Sequence, residues 1–310
     1  MKKLQYIFET ACLLDPLSIS NPEIENLDFH FYMIVSTPMI FIKDCYGIKN
    51  GIGFVLLIEN DEINVEVPNS NYDSTITFSK FEYCDFGRTA VSIFYDIFHK
   101  DGSKEDGKLD ISALDIYFRF VRDRKMRIEY IGQSYADDGH RTSQMRLVDH
   151  STLQKVFATY TRGIRREVML ILLGADISTA DNTSFFGHKS PIVNIDDVNE
   201  TDKSKYVNLL EAFMINFFKP SFNKKFISGT VPSANHDSYK KIMSEEFDDF
   251  SINVCIQGSC NDYELYTNER TVKIKQGVLD SNQTIHVSFE DANLINPAEY
   301  SYSFDDYLNE

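Results

Sequence analysis

Short apolar and aromatic runs alternate with polar and turn-forming residues over the first third of the chain. Runs at 29–35, 39–42, 53–59, 63–67, 75–78 and 90–95 predict strands. The breaks at 47–53 and 68–71 carry Gly, Asn and Pro, which tolerate or impose turn geometry and cannot continue a central strand. The stretch 100–107 is charged, punctuated by glycine and without periodicity, so it predicts a linker and a domain boundary. Beyond it, Asp115 to Val121 and Arg127 to Ser134 both interleave apolar β-formers with polar residues. The polar segment 122–125 between them predicts an antiparallel hairpin.

Helical spacing then appears in Leu153, Val156 and Phe157, with Asp149 or Ser151 as N-cap. A β-compatible run at 167–173 closes on Gly174 and predicts a strand buried on both faces. The polar segment 177–201 is long for a plain connection and predicts a substrate loop or a disordered one. Tyr206, Leu209, Leu210, Phe213, Met214 and Phe217 form the apolar stripe of a helix over 203–218, with Glu211 at its edge and Pro220 past its end. Strand-like patterning returns at 252–256, 271–275 and 284–289.

Five of these features occur in one order: Asp115-Ile-Tyr117, Tyr130-Ile-Gly132, Arg146 with His150 four residues later, Glu211, and Lys219-Pro-Ser-Phe-Asn223. In this the chain resembles the GIY-YIG nuclease superfamily over roughly residues 112–226. Asp115 stands where the family's opening glycine would be, and the segment between Ser134 and Arg146 is stretched, which makes Arg141 a rival to Arg146. The resemblance implies an α+β fold with a small antiparallel three-stranded sheet and helices, lying between or inserted into β-rich flanking regions. It divides the chain into a β-rich module at 1–107, a nuclease-like domain at 112–226 and a β-rich acidic region at 227–310.

It also implies chemistry: metal-dependent hydrolysis of DNA phosphodiester bonds. Glu211 would hold Mg²⁺ (or Mn²⁺), a hard cation that keeps most of its waters and needs few protein ligands. Tyr130 would act as general base if nearby cations lowered its phenol pKa from about 10, and Tyr117 would orient the attacking water or share its proton. Arg146 and His150 would meet the scissile phosphate, and Asn223 would be a structural asparagine. Asp137, Asp138 and Asp149 could hold a second metal but read more simply as loop or capping residues. Asp85-Phe86-Gly87 has no glycine-rich or catalytic loop near it and reads as a turn.

A net charge of −16 argues against a nucleic-acid partner, but its distribution changes that reading. Residues 112–226 carry 17 Lys+Arg against 14 Asp+Glu, and within 119–166 there are 11 against 5, so the acid lies in the flanks. The acidic, aromatic tail at 290–310 suits docking onto a basic surface or a protein partner. The five cysteines are scattered, which suits free thiols in a cytosolic protein; Cys255 and Cys260 lack zinc-site spacing. No apolar run reaches membrane-spanning length. The remaining readings are a nucleic-acid-binding module that has lost turnover and a protein-interaction subunit of a defence or repair complex. Restriction or phage defence is the biological setting expected for the nuclease.

Overall fold

The computed structural model describes residues 2–14, 16, 29–49, 51–68, 74–84, 88–121, 124–133, 151–162, 165–181, 192–194, 200–227, 249–254, 263–275, 278–279 and 285–288. The fold is mixed α+β and mostly strand. It separates into two compact units, one made of 1–37 and 125–310 and the other of 38–124. Residues 1–37 of the expected N-terminal module thus fall in one unit with 125–310, and 38–124 are inserted in sequence between them.

The first unit opens with β1 (Lys2–Leu14) and β2 (Phe31–Pro38). The chain then enters the second unit through β3 (Ile40–Ile48), β4 (Gly51–Ile58), β5 (Asp61–Pro68), β6 (Ser74–Tyr83), β7 (Ala90–His99) and β8 (Lys104–Ser112). These strands make two antiparallel meanders, β3-β4-β5 and β6-β7-β8. Ile42, Phe54, Leu56 and Val65 of one and Val91 and Ile93 of the other share a buried cluster with α1 (Ala113–Phe120).

Two expectations fail in this unit. The segment 100–107 is no linker. Asp101 accepts bonds from the backbone N–H of Ser103 (2.9 Å) and its hydroxyl (2.6 Å), and the N–H of His99 donates to the carbonyl of Ser103 (3.0 Å). With Gly102 at φ 86°, this closes a tight turn between β7 and β8. Nor is 115–121 a strand. Ser112 and Asp115 form a reciprocal capping box that starts α1, and Ala113, Ile116 and Tyr117 are buried at helical spacing. The aromatic density of the segment looks β-like, but a satisfied helix start and a helical buried face outweigh it.

The chain returns to the first unit in β9 (Arg124–Gln133), followed by α2 (Ser151–Arg162), β10 (Arg166–Asp181), β11 (Ile192–Asn194) and α3 (Glu200–Phe218). It ends in β12 (Asp249–Val254), β13 (Tyr263–Tyr266), β14 (Thr271–Lys275), β15 (Val278–Leu279) and β16 (Ile285–Ser288). Among the described residues these strands form one sheet in the order β15-β14-β13-β9-β2-β10-β1-β12-β16, with β11 also paired to β10. Part of the segment expected to be a loop after 177 is therefore strand.

At the middle of this sheet β2 lies between β9 and β10. Tyr32 and Ile34 of β2 and Val168, Leu170 and Leu172 of β10 recur with a period of two, so they line one face. Leu153 and Val156 of α2 join them in one buried cluster. An antiparallel partner of β9 is thus β2, from outside 112–226, and the connection between the two strands is the whole inserted unit.

Candidate active site

The register between β2 and β9 sets Tyr32 opposite Gly132 and Ile34 opposite Tyr130. Residues facing each other across a ladder share a side of the sheet, so the two phenols come together. Their rings stack with centroids 6.0 Å apart and planes at 28°. Tyr32 is fully buried, whereas Tyr130 is partly exposed. A Cβ at position 132 would lie 2.5 Å from Tyr32 Oη and 2.8 Å from Tyr130 Cε1, so the pair needs glycine there for space. The hairpin expected to pair Tyr117 with Tyr130 does not form, since 113–120 is helix; β2 brings Tyr32 to Tyr130. Tyr117 belongs to the inserted unit, where it is buried in that unit's core.

Glu211 reaches the end of β9 from α3. Its Oε1 accepts a hydrogen bond from the backbone N–H of Gln133 at 3.2 Å, one residue past Gly132. The Gln133 side chain runs along the same helix and donates from Nε2 to Asn208 Oδ1 at 2.6 Å. Most of α3 around Glu211 is buried, including Val207, Leu209, Leu210, Ala212, Phe213, Met214 and Ile215, a wider burial than a single stripe. Glu211 itself is only half-buried. A carboxylate among the buried apolar residues of this helix is thus held against a strand end by a main-chain donor.

After α3, Lys219 adopts φ 49°, and the turn 220–223 follows. Asn223 is buried, and its amide bonds both main-chain groups of Ile131: Oδ1 accepts from the N–H at 2.9 Å and Nδ2 donates to the carbonyl at 2.8 Å. The side chain acts as a surrogate strand for Ile131.

Tyr130, Glu211 and Asn223 therefore meet around one short stretch of β9, and Tyr32 joins them. Arg146, its rival Arg141, His150, Asp137, Asp138, Asp149 and Ser134 lie outside the described residues, as do His188, Asp85-Phe86-Gly87, Cys255, Cys260 and the tail at 290–310. Tyr32, Gln133 and Asn208 were not singled out from sequence. Residues 29–35 did read as a strand, but which strand it pairs with is not a local property.

No three His, Cys, Asp or Glu side chains gather as a metal cage among the described residues. Glu211 offers a partly exposed hard oxygen donor, and Gln133 Oε1 is a buried acceptor with no hydrogen-bond partner among the described residues. Oxygen is the donor that Mg²⁺ takes, with one or two atoms from protein and its remaining positions filled by water. No helix of the described residues is long and apolar enough to cross a membrane. Compared with family models, curated proteins and solved structures, the chain matches none significantly.

Proposed function

We propose that the chain is a metal-dependent endonuclease acting on DNA, of the GIY-YIG type, with Tyr32 in the role that the sequence pattern gave to Tyr117. One observation carries this reading: the Tyr32–Tyr130 stack over Gly132 lies on the strand whose next amide is bonded to Glu211. A phosphodiester hydrolase needs a proton acceptor for the attacking water and hard oxygen donors for a divalent cation, and this stretch offers both.

Tyr130, the more exposed phenol, takes the proton of the attacking water at its Oη when it stands as the phenolate, and becomes the neutral phenol. Tyr32, held immobile in the core, fixes the orientation of the Tyr130 ring. Glu211 and Gln133 would hold the cation, which would supply charge neutralisation to the phosphate and the leaving oxygen. The surrounding sequence, rich in Lys and Arg between 119 and 166, attracts the DNA backbone. Arg146, or Arg141, and His150 remain the candidates for contacting the scissile phosphate. Restriction or phage defence is the setting we favour for this activity.

Mg²⁺-dependent nicking of a supercoiled plasmid by the full chain tests the reading. Wild type should nick, and Glu211→Gln, which keeps shape but removes charge, should lose cleavage by about 100-fold or more while folding and low-salt DNA binding persist. Full activity in Glu211→Gln removes Glu211 from the site. Salt-sensitive DNA binding without any nicking by wild type selects a binding module in place of an enzyme.

A further inference from the structure

The ladder between β2 and β9 is regular from Phe31↔Gln133 to Ile34↔Tyr130 and then jumps to Val35↔Ile128. Glu129 is the residue left over, so β9 carries a bulge immediately before Tyr130. In an unbroken strand Arg127 and Tyr130, three residues apart, would face opposite sides. Here Arg127 lies opposite Ser36 and Tyr130 opposite Ile34, two β2 residues that share a side, so the bulge brings both onto the same face. Without it, one half of β9 would turn over and Tyr130 would point away from Tyr32.

The bulge is held by a fully buried carboxylate. Glu129 Oε1 accepts from Ser36 Oγ at 2.6 Å and Tyr160 Oη at 2.5 Å, and Oε2 accepts from Ser221 Oγ at 3.1 Å. Arg127 Nε lies 3.8 Å from Oε1. Arg166 donates from Nε to Ser36 Oγ at 2.8 Å and from Nη2 to the Ser36 carbonyl at 3.1 Å, which fixes the serine in turn. The main chain of the bulge is also held, since the N–H of Phe222 donates to the carbonyl of Glu129 at 3.0 Å. Ser221, Phe222 and Asn223 thus grip the carboxylate of residue 129, its carbonyl, and both main-chain groups of residue 131. Burying a carboxylate is costly unless it is fully partnered, and apolar packing would make a simpler core. The partners gathered here favour one geometry of β9 over the alternative register.

We propose that Glu129 is a positioning residue for Tyr130: its buried hydrogen bonds pin the bulge that turns the Tyr130 phenol onto the face of Tyr32. The catalytic part of this inference rests on the nuclease reading above, whereas the geometric part does not. A buried carboxylate bonded by three hydroxyls, with a guanidinium beside it, is not available to substrate, so Glu129 acts through the backbone and never on the phosphate.

The test uses the full chain with 3-fluorotyrosine incorporated, the Tyr130 fluorine resonance being assigned by its loss in Tyr130→Phe. Glu129→Gln keeps an acceptor for Tyr160 and Ser36 and should leave the resonance and plasmid nicking near wild type. Glu129→Ala should shift the resonance in a protein that remains folded by circular dichroism. It should also lower kcat about 10- to 100-fold with KM for plasmid within about twofold, as displacement of a reacting group does. Should Glu129→Ala fail to fold, Ser221→Ala, which removes one donor at the edge of the network, should shift the resonance in the same direction. An unchanged Tyr130 resonance in a folded Glu129→Ala or Ser221→Ala overturns the proposal. A shift with no nicking by wild type upholds the positioning and overturns only the nuclease reading.

Discussion

The Tyr32 ring lies against the α-carbon of Gly132, so near that a methyl group there would sit 2.6 Å from Tyr32 Cζ. Because Tyr32 is fully buried, its ring has no space into which to swing. The third residue of Tyr130-Ile-Gly is therefore set by a side chain on another strand.

Gly132→Ala should destabilise the first unit by about 1–3 kcal/mol through overpacking. Urea denaturation followed by circular dichroism measures this. A second substitution, Tyr32→Leu, removes the ring that the methyl meets, and it should make the added cost of Gly132→Ala smaller in a double-mutant cycle. Purely additive effects would show that the two residues do not oppose one another.

The two candidate tyrosines separate cleanly by mutation. Tyr32→Phe keeps the stack but removes the hydroxyl, and should cut plasmid nicking by about 10- to 100-fold if that hydroxyl helps orient the Tyr130 proton acceptor. Tyr117→Phe alters the core of the inserted unit and should leave nicking within about twofold. Single-turnover assays decide between them, and loss confined to Tyr117→Phe would reinstate the pairing expected from sequence.

Asn223→Ala removes one acceptor and one donor from the main chain of Ile131. Leaving a buried N–H and carbonyl unsatisfied should cost about 2–4 kcal/mol and expose the Ile131 amide to exchange. Hydrogen exchange resolved to β9 should show the loss of protection concentrated around residue 131. Protection unchanged there would mean that the clamp contributes nothing to holding the strand.

Tyr160 gives the stability a pH dependence with a definite sign. Burial first, then the hydrogen bond and charge of Glu129, push its phenol up to about 12 from 10.0, against smaller opposing effects of Ser36 and Arg127. Below pH 10 the phenol is neutral in both folded and unfolded chains, and its contribution is whole. Between pH 10 and 12 the unfolded chain ionises first, so the contribution is lost as pH rises. The stability difference between wild type and Tyr160→Phe, measured by denaturant titration at several pH values, should shift in favour of the variant across this window. A difference that is flat with pH would show that Tyr160 does not keep its proton on Glu129.

Many elements were legible locally. The strands at 29–35 and 90–95, the helices beginning near Ser151 and spanning 203–218, and the strand at 271–275 all follow from side-chain period and turn chemistry. Tyr130, Glu211 and Asn223 were also legible, because each lies in a short pattern of residue types. Local cues were misread where two competed: Ser112 and Asp115 announce a helix start, but the aromatic run after them looks like strand.

Pairing was what the tertiary structure alone decided. The continuous apolar run of β2 records that both of its sides are buried, and nothing in it records that β9 is its neighbour across an inserted unit. Hydrogen bonds between strands form from main-chain groups that every residue shares, so the partner of a strand is chosen by packing of the whole unit and not by its own letters. The same holds for Glu129. In the sequence it is one acid among apolar residues of a strand; only the register shows that it is the extra residue that turns Tyr130 toward Tyr32.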